Sequence, residues 1–307
     1  MGDRRRISLP GQTAALAVML ALAGTACATT QAAPAASAAS AQSAADGATR
    51  FAASADGTRI AYEVRGTGPA VMLVHGAGQT RREWDTLGYV TPLAERFTVI
   101  LVDGRGFGDS GKPTTASAYG VDQQVADLLA VADAAGVDRF SVWGYGRGAV
   151  FARYLAARSE RVQSMVYVGV PFGPALSETL ALAARGLAAK WQPLFDAQRD
   201  GTIGKMRLTD SDRETLQRGT LEVMVSLQTA MLDYPPFEPG ELKVPTLWVV
   251  GTGDEESLAS AKAYEGKLEG TPVTVVQVSG ANYSELFTRV NLMLEHGVGF
   301  LTKQTTR

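Results

Sequence analysis

Six stretches of the chain are nearly unbroken apolar runs: AVMLVH (70–75), RFTVILVD (96–103), DRFSVWG (138–144), RVQSMVYVG (161–169), VPTLWVVG (244–251) and TPVTVVQVSG (271–280). A strand that is apolar on both sides must be covered on both sides, as in a parallel sheet between helical layers. The segments between the runs carry the helical period instead. Trp84, Leu87, Val90 and Leu93 predict a crossover helix within 81–95, and Val121, Val125, Leu128, Leu129 and Ala132 mark one face of another. Residues 148–158, 257–268 and 284–301 are helical in composition, and FAASADGTRIAYEVRG (51–66) predicts two short strands around an Asp-Gly turn. The alternation predicts an α/β fold, a mostly parallel sheet of about eight strands with helices on both faces.

Residues 172–240 break the alternation. LSETLALAARGLAAKW (176–191) and a stretch over 212–232 predict a helical lid inserted above the carboxyl ends of the strands, where open parallel sheets bind ligands. Leu180, Leu187, Trp191, Leu194, Phe195, Met224, Leu227 and Met231 either pack this lid on the core or line an apolar pocket. At the other end, Arg4, Arg5 and Arg6 precede LAVMLALAG (16–24), an arrangement that predicts an export signal over 1–27. GTAC (24–27) resembles a lipoprotein processing site with Cys27 as the lipid attachment point, the alternative being removal of Cys27 with the leader; the paired arginines also resemble a twin-arginine signal. Residues 28–47, rich in Ala, Ser and Pro, predict a disordered leader, leaving 48–307 as the folded domain. The expected location is outside the cytoplasm: periplasmic, extracellular or lipid-anchored at the envelope.

Composition narrows the chemistry. Apolar residues make up 46% of the chain and the formal charge is −2, so a full core is affordable and a nucleic-acid surface is not expected. One cysteine excludes an internal disulfide, and two histidines without ligand spacing argue against a metal site. DGRGFGDSG lacks the lysine and hydroxyl residue of a phosphate loop, and no cofactor is expected.

Four motifs in order, HGAG (75–78), DGRGFGDSGKP (103–113), Gly144-Tyr145-Gly146-Arg147-Gly148 and VPTLWVVGTGDE (244–255), resemble the α/β-hydrolase superfamily, particularly its small lid-bearing members. The resemblance covers roughly 51–303 and implies a strand-to-helix elbow for a nucleophile at 146. It also implies oxyanion donors in the backbone N–H groups of Ala77 and Arg147, an acid at Asp254, and a general base where Tyr283 stands. This chain departs at two of these places, since Gly146 has no side chain and Tyr283 replaces histidine. His75 is then expected to organise its turn, while His296 falls in the last helix. Asp254 and Tyr283 either hydrogen-bond to close the old cavity or keep it polar for another ligand. Tyr145 packs or lines the pocket. Arg147 either points to solvent as a helix-start residue or reaches a carboxylate or phosphate. Asp103 and Arg105 are expected to order their loop, Ser110 to lack activation, and Glu255 and Glu256 to be solvated or capping.

The leading functional expectation is therefore a catalytically degenerate protein that binds a small apolar, carbonyl- or carboxylate-bearing molecule or serves as a scaffold for an unknown partner. The alternative is a non-standard hydrolase, lyase or isomerase acting on a carbonyl, ester or lactone through Asp254 and Tyr283. A third reading is a conventional hydrolase inactivated by substitution.

Overall fold

The computed structural model describes residues 47–305. The predicted export signal, Cys27 and the leader up to residue 46 lie outside the described residues.

The apolar runs form strands β3 (Ala70–Val74), β4 (Thr98–Val102), β5 (Phe140–Tyr145), β6 (Val162–Val168), β7 (Thr246–Gly251) and β8 (Val273–Val278), preceded by the hairpin β1 (Arg50–Ala53) and β2 (Arg59–Arg65). One eight-stranded sheet has the order β1-β2-β4-β3-β5-β6-β7-β8. The β1–β2 and β2–β4 pairs are antiparallel, and all others are parallel. The order reverses at β3, which has β4 on one side and β5 on the other. Open parallel sheets bind ligands outside the carboxyl ends of the strands at such a reversal, which here falls beside residues 75–78 and 146.

Side chains alternate across the sheet as the period of two requires. Val71 and Leu73 join Trp84, Tyr89, Leu93, Trp143 and Phe287 on one face; Met72 and Val74 join Val131, Val150 and Leu155 on the other. The covering helices are α1 (Arg82–Thr86), α2 (Val90–Ala94), α3 (Val121–Ala134), α4 (Arg147–Arg158), α8 (Glu255–Tyr264), α9 (Tyr283–Thr288) and α10 (Val290–Thr305); the lid contributes α5 (Glu178–Arg199), α6 (Asp210–Arg218) and α7 (Thr220–Leu232).

Three predicted helices are each two. The crossover within 81–95 divides into α1 and α2 around Gly88, whose φ is 94°. The lid stretch 212–232 divides at Gly219, and the last helix divides at Arg289, whose ψ is 59°. Both halves of each pair keep apolar residues facing the protein, so the hydrophobic period runs through a break that one backbone residue makes. In the other direction, α5 extends beyond the predicted 191 to Arg199, with Pro193 inside it.

The lid is a helical insertion between β6 and β7. Trp191, Leu194, Phe195 and Val225 form a small core of its own. Its two ends are tied at the base, where the Gly173 N–H donates to the Phe237 carbonyl (2.8 Å) and the Phe237 N–H donates back to Gly173 (2.9 Å). Arg153, fully buried on α4, donates to the carbonyls of Pro171 (3.2 Å) and Gly173 (3.1 Å) and so fastens that base to the sheet layer.

The loop after β4 is ordered by two buried arginines. Arg81 binds Asp103 through backbone and guanidinium and donates to Glu63 and Asp109 (both 2.9 Å). Arg105 holds Asp127 with two hydrogen bonds (2.9 and 2.7 Å) and also binds Asp56. Ser110 is occupied in the same loop: its hydroxyl donates to the Asp103 carbonyl (2.7 Å) and accepts from the Ala61 N–H (2.8 Å).

Candidate functional site

β5 feeds a sharp turn at Gly146 and then α4. Gly146 has φ 54° and ψ −124°, a conformation open to glycine and costly for other residues. A side chain on Gly148 would collide with the Val74 carbonyl, so the start of α4 approaches β3 as closely as only glycine permits. The turn is pinned by the Gly146 N–H to the Val168 carbonyl (2.9 Å), while the Gly146 carbonyl accepts from Ala149 (2.9 Å) and Val150 (3.1 Å). Arg147 begins the helix, where backbone N–H groups lack an intrahelical acceptor. Across the crevice, the Gln79 side chain accepts from the Gly76 N–H (2.8 Å) and shapes the turn that presents Ala77 at the surface. Among the described residues no hydrogen bond takes up the N–H of Ala77 or of Arg147.

Tyr283 opens α9, with Asn282 capping the helix by accepting from Glu285 (3.0 Å). Its ring is 38% exposed, yet its hydroxyl points inward: a Cβ built on Gly146 would overlap that oxygen. The phenol therefore occupies the space into which a residue-146 side chain would project. Tyr145 lies against Tyr283 (ring centroids 5.0 Å apart), stacks on Phe287 (4.4 Å), and donates its hydroxyl to the Tyr283 carbonyl (3.0 Å). Burial pushes the Tyr283 hydroxyl above the ordinary tyrosine range, outweighing the Tyr145 hydroxyl and the Arg147 charge, which pull it down, with a smaller upward push from Asp254. At neutral pH this phenol keeps its proton and is a donor. It is therefore unsuited to the general-base position that the sequence gives it.

The expected bond between Asp254 and Tyr283 is not formed. Asp254 is the N-cap of α8, one oxygen accepting from the Ser257 N–H (3.2 Å) and the other from the Ser257 hydroxyl (2.8 Å). The cap engages both oxygens, and Asp254 acts on Tyr283 through its charge. Glu256, expected to be a solvated or capping residue, has its carboxyl pushed up by burial and then by Asp254, against a hydrogen bond with Ser177 at the foot of the lid. The Glu256 carboxyl therefore holds its proton more tightly than an ordinary glutamate, within electrostatic reach of Asp254. The only sequence signal was the acid spacing at the helix start, which surface helices share.

His75 is buried and fully engaged. With the tautomer assigned from its partners, Nδ1 donates to the Gly76 carbonyl (2.9 Å) and Nε2 accepts from the Gly104 N–H (3.0 Å). Burial, followed by the nearby Arg147 charge, pushes it down to about 3, so it stays neutral. Arg147 turns inward. Its guanidinium lies 3.8 Å over the Phe107 ring, and Nη2 donates to the Gly76 carbonyl at 3.3 Å. His296 sits within α10, and no hydrogen bond among the described residues joins it to the elbow. Among the described residues no group of three or more His, Cys, Asp or Glu side chains is placed to hold a metal ion.

A family model described as the alpha/beta hydrolase fold matches residues 69–215. Over 111 residues the chain is 32% identical to epoxide hydrolase 3 of Siraitia grosvenorii, covering 36% of this chain and 34% of that protein. Over 110 residues it is 36% identical to the soluble epoxide hydrolase of Corynebacterium sp. (strain C12), covering 35% and 36%. The matches thus span about a third of those relatives' length. A crystal structure of an epoxide hydrolase from Vigna radiata superposes with a TM-score of 0.63 at 19% identity, covering 84% of this chain and 98% of that one. The eight-stranded sheet with its helical lid is the architecture these share.

These comparisons correct the leading functional expectation. Relatives that match by sequence are named epoxide hydrolases, while the matching structures, at 21% and 19% identity, share the fold. They support an active hydrolase and overturn the reading of a catalytically degenerate scaffold or pseudoenzyme, which rested on Gly146 and Tyr283 standing at the nucleophile and base positions; the alternative, a non-standard hydrolase, fits them better.

Proposed function

We propose that this chain, which has the α/β-hydrolase fold with a helical lid, is an active hydrolase that opens a C–O bond of a small ester, lactone or epoxide by direct attack of water. Its triad positions read Gly146, Tyr283 and Asp254, so no side chain at the elbow is available to form a covalent intermediate. The observation that carries the proposal is the Tyr283 hydroxyl, a protonated donor held in the space above Gly146 and beside the start of α4.

In an ester or lactone the carbonyl oxygen accepts hydrogen bonds from the N–H groups of Ala77 and Arg147 and the alkoxy oxygen accepts from the Tyr283 hydroxyl; in an epoxide the ring oxygen takes both roles. Main-chain donors keep this capacity whatever side chain occupies 146. Water attacks the carbon and the C–O bond breaks. The departing oxygen takes the phenolic proton, while the proton lost by water passes to the Asp254 and Glu256 carboxyl pair and returns to Tyr283. Kinship with proteins named epoxide hydrolases supports including epoxides in the substrate class.

The test is turnover of aryl esters, lactones and styrene-type epoxides by purified protein, beside Tyr283→Phe and Asp254→Asn. Tyr283→Phe is expected to lower kcat about 100-fold, within the usual range for a general acid. The wild-type rate should stay flat through neutral pH and fall only above the ordinary tyrosine range, where the phenol loses its proton. Equal turnover by Tyr283→Phe would sink the assigned role, and no turnover on the panel would sink the proposal.

A further inference from the structure

Four arginines turn inward around the carboxyl edge of the sheet, Arg81, Arg105 and Arg153 buried and Arg147 half-buried, and they are not alike. Arg81 is neutralised by Asp103 and Glu63, and Arg105 by Asp127 and Asp56. Arg153 has no carboxylate among the described residues and leaves its Nε unpartnered, but its two terminal nitrogens donate to the Tyr167 hydroxyl and to two carbonyls. Arg147 has far less. Its one hydrogen bond among the described residues is the 3.3 Å contact with Gly76, and no carboxylate there pairs with it. Its Nε is shielded from solvent without a partner. The rest of its surroundings are rings, with Phe107 at 3.8 Å and Phe151 at 5.9 Å. Burial pushes it down to about 10, as expected of a cation with no counter-charge beside it.

A half-buried charge with no carboxylate beside it is costly to keep, and it is relieved where a ligand supplies the opposite charge. Residue 147 immediately follows the elbow, so a group bound to its guanidinium would sit one residue from the reacting position. We infer that Arg147 recognises a carboxylate carried by the substrate, the Phe107 and Phe151 rings holding the adjoining hydrocarbon. With Nε shielded behind it, a terminal nitrogen is the part of the guanidinium that meets a carboxylate oxygen, in a charge-assisted hydrogen bond. One guanidinium also balances one negative charge, whereas a phosphate dianion would enter this apolar setting with a charge left over. This inference rests on the proposed reaction at Gly146 and gives its substrate class: carboxylate-bearing esters, lactones or epoxides with an apolar body.

The experiment measures equilibrium binding by calorimetry, using phenylacetate and its neutral isostere phenylacetamide as probes for the full chain, Arg147→Met and Arg147→Lys. The wild type is expected to bind phenylacetate about 30-fold more tightly than phenylacetamide, the scale of a charge-assisted hydrogen-bonded pair. That preference should fall to about one in Arg147→Met and return in part in Arg147→Lys. Without ligand, Arg147→Met should melt at the wild-type temperature or above it, because it removes a half-buried cation with no carboxylate beside it; a structural arginine would lower it. Phenylacetate binding no better than phenylacetamide or not at all, a preference unchanged in Arg147→Met, or equal preference for inorganic phosphate would each overturn the inference. Because binding needs no turnover, the two readings fail separately: carboxylate preference without hydrolysis removes the reaction and keeps the site, and hydrolysis without the preference does the reverse.

Discussion

A Cβ added to Gly146 would overlap the Tyr283 hydroxyl, and the backbone there already holds a positive φ. A side chain at 146 therefore requires Tyr283 to move. Gly146→Ser is expected to cost about 1–3 kcal/mol in urea unfolding, from the clash and the strained backbone together. Adding Tyr283→Ala should recover at least half of that cost, and strict additivity in the double-mutant cycle would show that the two positions are not coupled. His75 gives a second test, through acid. The folded imidazole is pushed down to about 3 from an ordinary 6.5, so between these values the unfolded chain binds the proton and the folded chain does not. Stability is full above 6.5 and is lost as pH falls towards 3. His75→Asn should show a shallower decline across that window in urea midpoints; an unchanged slope would put the acid sensitivity elsewhere. Gly146, Asp254 and Tyr283 were legible because motif order places them. The inward turn of Arg147 and the raised Glu256 were not, since each depends on what other segments fold against them.

The elements were legible to the extent that their apolar pattern had only one solution. All six long apolar runs are strands, because a run buried on both faces fits the interior of a parallel sheet. Helix boundaries were less legible: Gly88, Gly219 and Arg289 turn the backbone without interrupting the apolar face. The lid was visible as a break in the alternation, but its private core was not, since Trp191 and Leu194 have the same spacing whether they pack on each other or on the sheet. That separate core predicts separate opening. Trp191→Ala should weaken amide protection in α5 and α7 roughly 100-fold, equivalent to about 3 kcal/mol, while leaving β3 to β7 nearly unchanged in native-state hydrogen exchange. Equal loss in lid and sheet would mean that the two open as one unit.

At the scale of the whole molecule, the reversal of strand order at β3 sets the crevice, the elbow and oxyanion turn meet in it, and the lid is tied above it through Gly173, Phe237 and Arg153. Sequence reading recovered this frame. Its leading expectation took the missing nucleophile and histidine as loss of catalysis, whereas its alternative, a non-standard hydrolase acting through Asp254 and Tyr283, is the one the sequence relatives favour. The most direct test of this account is a single turnover in oxygen-18 water with enzyme in excess over a carboxylate-bearing aryl ester, followed by mass spectrometry of product and intact protein. The account predicts acid product carrying one heavy oxygen at the earliest time point and protein at unchanged mass throughout. A stoichiometric acyl adduct on the protein that forms and decays with the reaction would contradict it.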